Sequence, residues 1–180
     1  MRAQCSVFVA TSLDGFIARS DGRVDWLGIV EQQGEDYGYK RFFDSVDTLV
    51  MGRKTYETVL GFGGEWPYGG KRCIVLTSGE QPAKFNVELT AEAPAPLVDR
   101  LTAEGAKRIY VDGGVVIQSF LAAGLVTDMT VSIVPVLLGD GVRLFGKTGA
   151  DVRLSLVRSR SFGSGLVQLE YGVQAASQAH

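Results

Sequence analysis

Histidine is nearly missing from this chain: the one copy in 180 residues is His180, in a polar tail. That scarcity excludes Ser/His/Asp and Cys/His nucleophilic catalysis, and it leaves no zinc site made from the usual nitrogen and sulfur ligands. Cysteine is scarce as well. Cys5 and Cys73 both lie in apolar, strand-like runs, where a reduced buried thiol is the usual state, so no disulfide scaffold is expected. Excess positive charge is absent too: 18 Lys and Arg stand against 20 Asp and Glu, a net charge of −2, with no basic block. Nucleic acid is therefore not expected as a main partner, because such proteins carry a basic face. No apolar run approaches the length of a membrane span, and Met1-Arg2-Ala3-Gln4-Cys5-Ser6 lacks the apolar core of a signal peptide. The expectation is a cytoplasmic protein without a membrane partner.

What the chain does hold is a globular balance, 46% hydrophobic and 21% charged residues, with 23 glycines for turns and close backbone approaches. Its length suits one domain with a full core. Residues 4–10 alternate and are rich in Val and Phe, so they read as a first strand. Thr11-Ser12-Leu13-Asp14-Gly15 and Ser20-Asp21-Gly22 mark a long turning loop closed by Asp25-Trp26-Leu27, since Asp-Gly pairs favour positive φ. Residues 35–45 place Tyr39, Phe42, Phe43 and Val46 at helical spacing. Residues 47–51 read as a buried strand and 54–60 as a helix. The glycine-rich segment from Gly61 to Gly70 carries Trp66 and Tyr68, which either cap a pocket or pack the loop onto the body. Strands are expected at 72–77, 87–89, 108–111 and 128–134, and helices at 97–104 and 115–122. Residues 152–157 and 166–173 alternate around Gly163-Ser164-Gly165, a hairpin turn. Strands separated by helices and followed by consecutive strands predict an α/β fold: a mixed, mostly parallel sheet flanked by helices, finished by a C-terminal antiparallel hairpin. Residues 1–173 are expected to form a single domain and 174–180 a polar tail. The first strand begins almost at residue one, so no further domain is expected before it.

One stretch organises the rest. Leu49-Val50-Met51-Gly52-Arg53-Lys54-Thr55-Tyr56 is a buried strand that stops at a glycine followed by two cations and a hydroxyl. A helix start has unpaired N–H groups and a positive dipole end, so this order suits a phosphate, although a lone Gly-Arg-Lys is also an ordinary turn with solvated charges. The design recurs at Asp112-Gly113-Gly114-Val115, and Leu76-Thr77-Ser78 ends another strand with hydroxyls. All three fall at the C-terminal ends of expected parallel strands, where open α/β sheets bind ligands. Three anion sites on one sheet suggest a dinucleotide phosphate. No Gly-x-Gly-x-x-Gly follows the first strand, so a Rossmann fingerprint is absent.

The order Ala10, Asp14-Gly15-Phe16-Ile17-Ala18, Trp26, Met51-Gly52-Arg53-Lys54-Thr55, Leu76-Thr77-Ser78 and Gly113-Gly114 resembles the dihydrofolate reductase superfamily over nearly the whole chain. Gly113-Gly114, Gly124-Leu125-Val126-Thr127-Asp128 and the run from Pro135 to Phe145 look more like the bacterial riboflavin-biosynthesis reductase branch, the RibD C-terminal domain. The resemblance implies NADPH as cofactor. It gives Ala10 and Ile17 to the nicotinamide carboxamide, with the Asp14-Gly15 loop closing over the ring. It gives Gly52, Arg53, Lys54 and Thr55 to a phosphate-binding helix start, with Arg53 near the adenosine phosphate. Leu76, Thr77 and Ser78 fall to the adenine ribose and its 2′-phosphate, and Gly113, Gly114 and Val115 to the turn beneath the pyrophosphate. Asp36, sixteen residues before Gly52, falls in register with a carboxylate that contacts the pterin and helps protonate the reduced C=N group, while a solvated helix N-terminal carboxylate explains Glu35-Asp36 equally well.

The resemblance thus implies an oxidoreductase passing hydride to a pyrimidine, pterin or related heterocycle, with 5-amino-6-(5-phosphoribosylamino)uracil the leading substrate and a homodimer joined through residues 152–173. The alternative is a non-catalytic nucleotide-binding or sensing protein. Departures from the family pattern bear on the substrate. Lys71 stands where folate enzymes keep an arginine for the glutamate tail, Asp112 replaces a glycine beside the pyrophosphate turn, and Glu80 could oppose a 2′-phosphate.

Overall fold

The Val- and Phe-rich alternation near the N-terminus carries strand β1 (Gln4–Ser12), two residues longer than the pattern predicts because β7 (Val126–Val134) pairs with it through Ser12. The structure is a computed structural model and describes residues 1–79 and 83–174. Glu80, set against a 2′-phosphate above, and the tail from residue 175, including His180, lie outside the described residues. The remaining elements are β2 (Phe16–Ala18), a 3-10 helix (Asp25–Val30), α1 (Tyr39–Ser45), β3 (Thr48–Gly52), α2 (Arg53–Gly61), β4 (Arg72–Leu76), β5 (Glu88–Thr90), α3 (Pro94–Ala103), β6 (Arg108–Asp112), α4 (Gly114–Ala122), β8 (Val142–Arg143), β9 (Leu154–Ser161) and β10 (Val167–Val173).

The main sheet runs β5-β4-β3-β6-β1-β7-β10-β9. It is parallel from β5 to β7, and β10 and β9 add to it as the antiparallel hairpin expected from their alternation. This is the dihydrofolate-reductase-like mixed sheet. Alternate residues of a strand face opposite sides, and the two cores follow that rule. Val50, Ile74, Ile109 and Val111 join Leu97, Val98 and Leu101 of α3 and Ile117 and Phe120 of α4. Leu49, Met51, Val75 and Tyr110 instead join Phe42 of α1 and Tyr56 of α2. Helices therefore cover both faces, and every parallel strand delivers its C-terminal end to one rim. Among the described residues no helix is long and apolar enough to cross a membrane.

Several local features differ from the sequence pattern; α3 begins three residues before its expected start, and β9 runs from Leu154 to Ser161 where the alternation predicts 152–157. The helix expected from residue 35 begins at Tyr39, because Gly38 takes φ +83° and breaks the helical path before it. The loop expected after β1 contains β2, which pairs with β8 in a separate ribbon; a three-residue strand whose partner is more than 120 residues away carries no periodic signal. Asp25–Val30 is a 3-10 helix that buries Trp26 and Val30 against Val134 and Leu166.

Candidate functional site

The starts of α2 and α4 lie against each other on the rim. Neither helix has a side-chain cap at its N-terminus, so the first N–H groups of both remain open donors. Gly113 sits at φ +90°, and a Cβ there would overlap the Thr55 hydroxyl of α2 and lie 3.9 Å from the Gly52 amide nitrogen. A Cβ on Gly52 would stand 3.1 Å from Val116 Cγ2, and one on Gly114 2.9 Å from the Arg143 carbonyl oxygen. Glycine at these positions thus permits two bare helix starts to touch, which is the form of a cradle for a pyrophosphate.

The Thr77 turn adjoins this cradle. Gly52 pairs with Leu76 across β3 and β4. The Gly79 amide donates to Thr77 Oγ1 at 3.2 Å, and a Cβ on Gly79 would lie 3.7 Å from an Arg53 guanidinium nitrogen. Arg53 itself pairs with Glu57 at 2.7 Å on the exposed face of α2. An exposed i,i+4 pair is worth only a few tenths of a kcal/mol, so Glu57 holds the Arg53 guanidinium only weakly. Lys54 and Ser78 are exposed, and Val115 is 75% exposed at the first turn of α4.

At the other end of the rim, Ala10 is half-buried near the end of β1, and Ile17 of β2 reaches over Gly114. The loop between them is tied down by Asp14, whose carboxylate accepts from the Ser12 hydroxyl and from the Leu138 and Gly139 amides at 3.1 and 2.8 Å. The Ser12 hydroxyl is the main cause that holds the Asp14 carboxyl down at about 2, with the two amides adding to it. Gln118 of α4 donates to the Arg143 carbonyl at 2.9 Å, so the β2–β8 ribbon is fastened to α4 as well. Trp26 packs beside Ala10, and its buried indole Nε1 has no acceptor among the described residues.

On the α1 side of the sheet the rim is aromatic. Tyr39 and Phe43, one turn apart on α1, stack at 5.9 Å between ring centroids; Phe43 meets Tyr68 at 6.1 Å, and Tyr68 meets Trp66 at 5.1 Å. Trp66 also stacks on Phe85 at 5.2 Å, so the glycine-rich loop packs onto the body. Lys71 donates to the Val46 carbonyl at 2.6 Å and lies 5.2 Å from the Phe43 ring centroid. Asp112 follows Tyr110 on this face, opposite Met51 of β3, and accepts from the Gly113 amide at 2.8 Å. Burial pushes its carboxyl up to about 6, against the pull of that amide. Burial first and then the Asp112 charge raise the phenols of Tyr39, to about 12, and of Tyr68.

Asp36 is placed differently. It is exposed, and its carboxylate accepts from the Gly38 and Lys40 amides at 2.8 and 2.9 Å. Those amides, Lys40 first, hold its carboxyl below the ordinary carboxylate range. The carboxylate with a raised pKa on the rim is Asp112, which sequence reasoning noted only as an awkward charge. The signal was there: a charged residue ending an apolar strand next to two glycines.

The RibD C-terminal domain family matches residues 4–168 of the chain. The Bacillus subtilis protein YwjB is 34% identical over 173 residues, covering 95% of this chain and 98% of YwjB. A Shewanella crystal structure, provisionally described as a riboflavin biosynthesis protein, superposes with a TM-score of 0.89 at 36% identity, over 97% of this chain and 99% of that one. A Thermotoga maritima diaminohydroxyphosphoribosylaminopyrimidine deaminase and 5-amino-6-(5-phosphoribosylamino)uracil reductase shares the fold, with a TM-score of 0.70 at 15% identity over 95% of this chain and 56% of that one.

Proposed function

The chain belongs to the RibD C-terminal domain family, and from that membership we propose that residues 1–173 form an NADPH-dependent reductase domain acting on a C=N or C=O group of a pyrimidine, pterin or related heterocycle. The observation that carries this reading is the pair of uncapped helix starts in contact at Gly52 and Gly113, which fits a pyrophosphate through backbone N–H groups. Gly52, Arg53, Lys54, Thr55, Gly113, Gly114 and Val115 hold the phosphates. Leu76, Thr77 and Ser78 border the adenosine, with Arg53 reaching its 2′-phosphate. Ala10 and Ile17 orient the carboxamide, and the Asp14 clamp holds their loop in place.

Bound NADPH supplies the hydride. The chain supplies position, a dry wall and a proton. Tyr39, Phe43, Tyr68 and Trp66 exclude water from one side of the heterocycle. Asp112 gives a proton to the atom beside the reduced carbon and recovers it from solvent; a carboxyl near 6 is protonated often enough at neutral pH to do so. Asp36, expected from the resemblance to take this role, has its carboxylate engaged by the start of α1 and its pKa lowered, so the proposal assigns it no proton transfer.

NADPH oxidation with a panel of pterins and aminopyrimidines tests the reading, with 5-amino-6-(5-phosphoribosylamino)uracil, the substrate in the Thermotoga protein's name, as reference. Binding of NADPH without turnover on any of them leaves the sensing alternative. NADPH is expected to raise the melting temperature, and Arg53→Ala to weaken NADPH about tenfold while changing NADH by less than about twofold, the loss of one charge-assisted contact. Equal loss for both cofactors would remove Arg53 from the 2′-phosphate.

The same reading takes the protein as a cytoplasmic homodimer. A reducing compartment suits Cys5 and Cys73, free and buried, their thiols pushed up by burial to about 12 and about 11. Edge strand β9 supports pairing: Leu154, Leu156 and Val157 are exposed on it, and a depression of about 490 Å³ lined by Met129, Val131, Leu154 and Leu169 opens beside it. Light scattering should give twice the chain mass, and a monomeric mass refutes the dimer.

A further inference from the structure

We propose that the groove between α1 and the sheet face of β1, β7 and β10 is a second ligand site, which takes a small organic anion: an oxyanion head, phosphate or carboxylate, on a flat apolar body. The site lies apart from the glycine cradle, and the inference does not depend on the reductase reading.

The groove has a volume of about 320 Å³, at the lower end of the range for small-molecule sites. Three arginines from separate elements line it, Arg41 of α1, Arg108 at the start of β6 and Arg160 of β9, with the rings of Phe8, Phe42 and Tyr37. Arg41 falls midway between Tyr39 and Phe43, about 200° around the helix from each, so the groove and the Tyr39–Phe43 stack lie on different sides of α1. Along β10, Gln168 and Glu170 line the groove while Leu169 and Tyr171 line the apolar depression beside β9. The two therefore open on opposite faces of the sheet.

Positive charge is concentrated here, in a chain whose net charge is −2. Arg108 pairs with Asp128 at 2.9 Å, and Glu170 is shared by Arg158 and Arg160 at 2.8 and 3.4 Å. Arg41 is exposed and forms neither a hydrogen bond nor an ion pair among the described residues. Four cations thus meet two acids, which leaves an excess of two positive charges for a ligand to balance.

Two of the three guanidinium groups in the lining are held in place. Arg108 donates to the Ser6 and Ser45 hydroxyls at 2.9 and 2.8 Å and lies 5.4 Å from the Phe42 ring centroid. Gln168 is 1% exposed, and its amide nitrogen donates to the Tyr37 carbonyl and the Ser132 hydroxyl at 2.9 and 3.0 Å. Its Oε1 is thereby turned to Arg160 Nη2. Among the described residues Arg160 forms hydrogen bonds through Nη2 alone; its buried Nε has no acceptor, while 34% of its side chain stays exposed. A fixed planar fork with donors to spare suits a phosphate or carboxylate, and it also stacks on flat groups. Phe8 and Phe42, stacked at 4.9 Å, add the apolar wall that a bare inorganic ion would not use.

Calorimetric titration at pH 8 of phenyl phosphate, benzoate and uncharged benzyl alcohol tests the inference. At least one of the two anions should bind about tenfold more tightly than the alcohol, and the tighter anion identifies the head group. Arg41→Ala, with its fold checked by circular dichroism, removes a side chain that has no partner within the chain and should close that gap. Arg160→Lys keeps the charge but loses the planar fork, and should weaken the anion by about threefold or more. Gly113→Ala, in the cradle, should change the affinity for the anion by less than about twofold. Anion binding that survives Arg41→Ala and is lost in Gly113→Ala belongs to the cradle and overturns the inference. An alcohol that binds as tightly as both anions does the same, and so does failure of both anions to bind.

Discussion

Gly113→Ala should weaken NADPH binding by on the order of a hundredfold, about 2.7 kcal/mol, and lower the melting temperature of the free protein. Two independent costs act at this position. The backbone holds φ +90°, where a residue with a Cβ is strained by about 1–2 kcal/mol. The new methyl also overlaps the Thr55 hydroxyl and comes within 3.4 Å of its Cβ, which forces the starts of α2 and α4 apart. On the proposed reading the helix starts must touch for their N–H groups to converge on one pyrophosphate, so a small displacement should cost binding as well as stability. Calorimetry with NADPH measures the first effect and thermal unfolding the second. Adding Thr55→Ser, which keeps the hydroxyl, should rescue little, while Thr55→Ala relieves the overlap and should recover part of the lost stability. Unchanged NADPH affinity in the Gly113→Ala variant would remove the glycine turn from the cofactor site.

Asp112→Asn should lower kcat by about a hundredfold near pH 6, the usual loss when a general acid is removed. It should also flatten the pH profile, which in the unmodified protein is expected to fall as pH rises above about 6. The same group makes stability depend on pH, with a definite sign. Its folded carboxyl is raised from 3.8 to about 6, so the folded state holds the proton over a range where the unfolded chain has released it. Stability from this group is fully present below about pH 4, declines as pH rises through about 6, and stays low above that. The loss amounts to about 3 kcal/mol if the whole shift is realised. Asparagine keeps the acceptor for the Gly113 amide and carries no charge to desolvate. The variant should therefore melt several degrees higher than the unmodified protein at pH 8 and at a similar temperature at pH 4. The other ionisable groups facing Asp112 are the phenols of Tyr39, Tyr68 and Tyr110, all raised, and none ionises in this window. A melting temperature at pH 8 that does not rise on Asp112→Asn would show the carboxylate to be well solvated, and with it the case for a proton donor would fall.

Much of this arrangement was legible before any coordinates. The switch at Gly52 from an apolar, β-branched run to helical spacing identifies β3 and α2, because a strand and a helix impose different periods on their buried residues. The same switch at Gly113 identifies β6 and α4. Alternation from residue 152 onward reveals the hairpin of β9 and β10. What escaped was whatever depends on a single distant partner. The β2–β8 ribbon has two or three residues on each side and no period to detect. Asp14 looked like a turn residue, and its carboxylate proves to clamp Leu138 and Gly139, far along the chain.

Two acids divide what sequence determined from what tertiary structure decided. Local chemistry alone marked Asp36 and Asp112: one before an amphipathic helix, the other after an apolar strand. Periodicity likewise determined the helices, the strands and the rim to which the glycine turns belong, since hydrophobic spacing is a property of neighbouring residues. Only the packed chain decided which acid has which environment. Asp36 accepts from the Lys40 and Gly38 amides, within four residues and exposed to solvent, and those hydrogen bonds lower its pKa. Asp112 ends β6 beside Met51 of β3, on the sheet face where the rings of α1 and the Trp66 loop pack. Burial is a sum over such distant neighbours, and so the charge state of a carboxyl follows from the fold and not from the residues beside it.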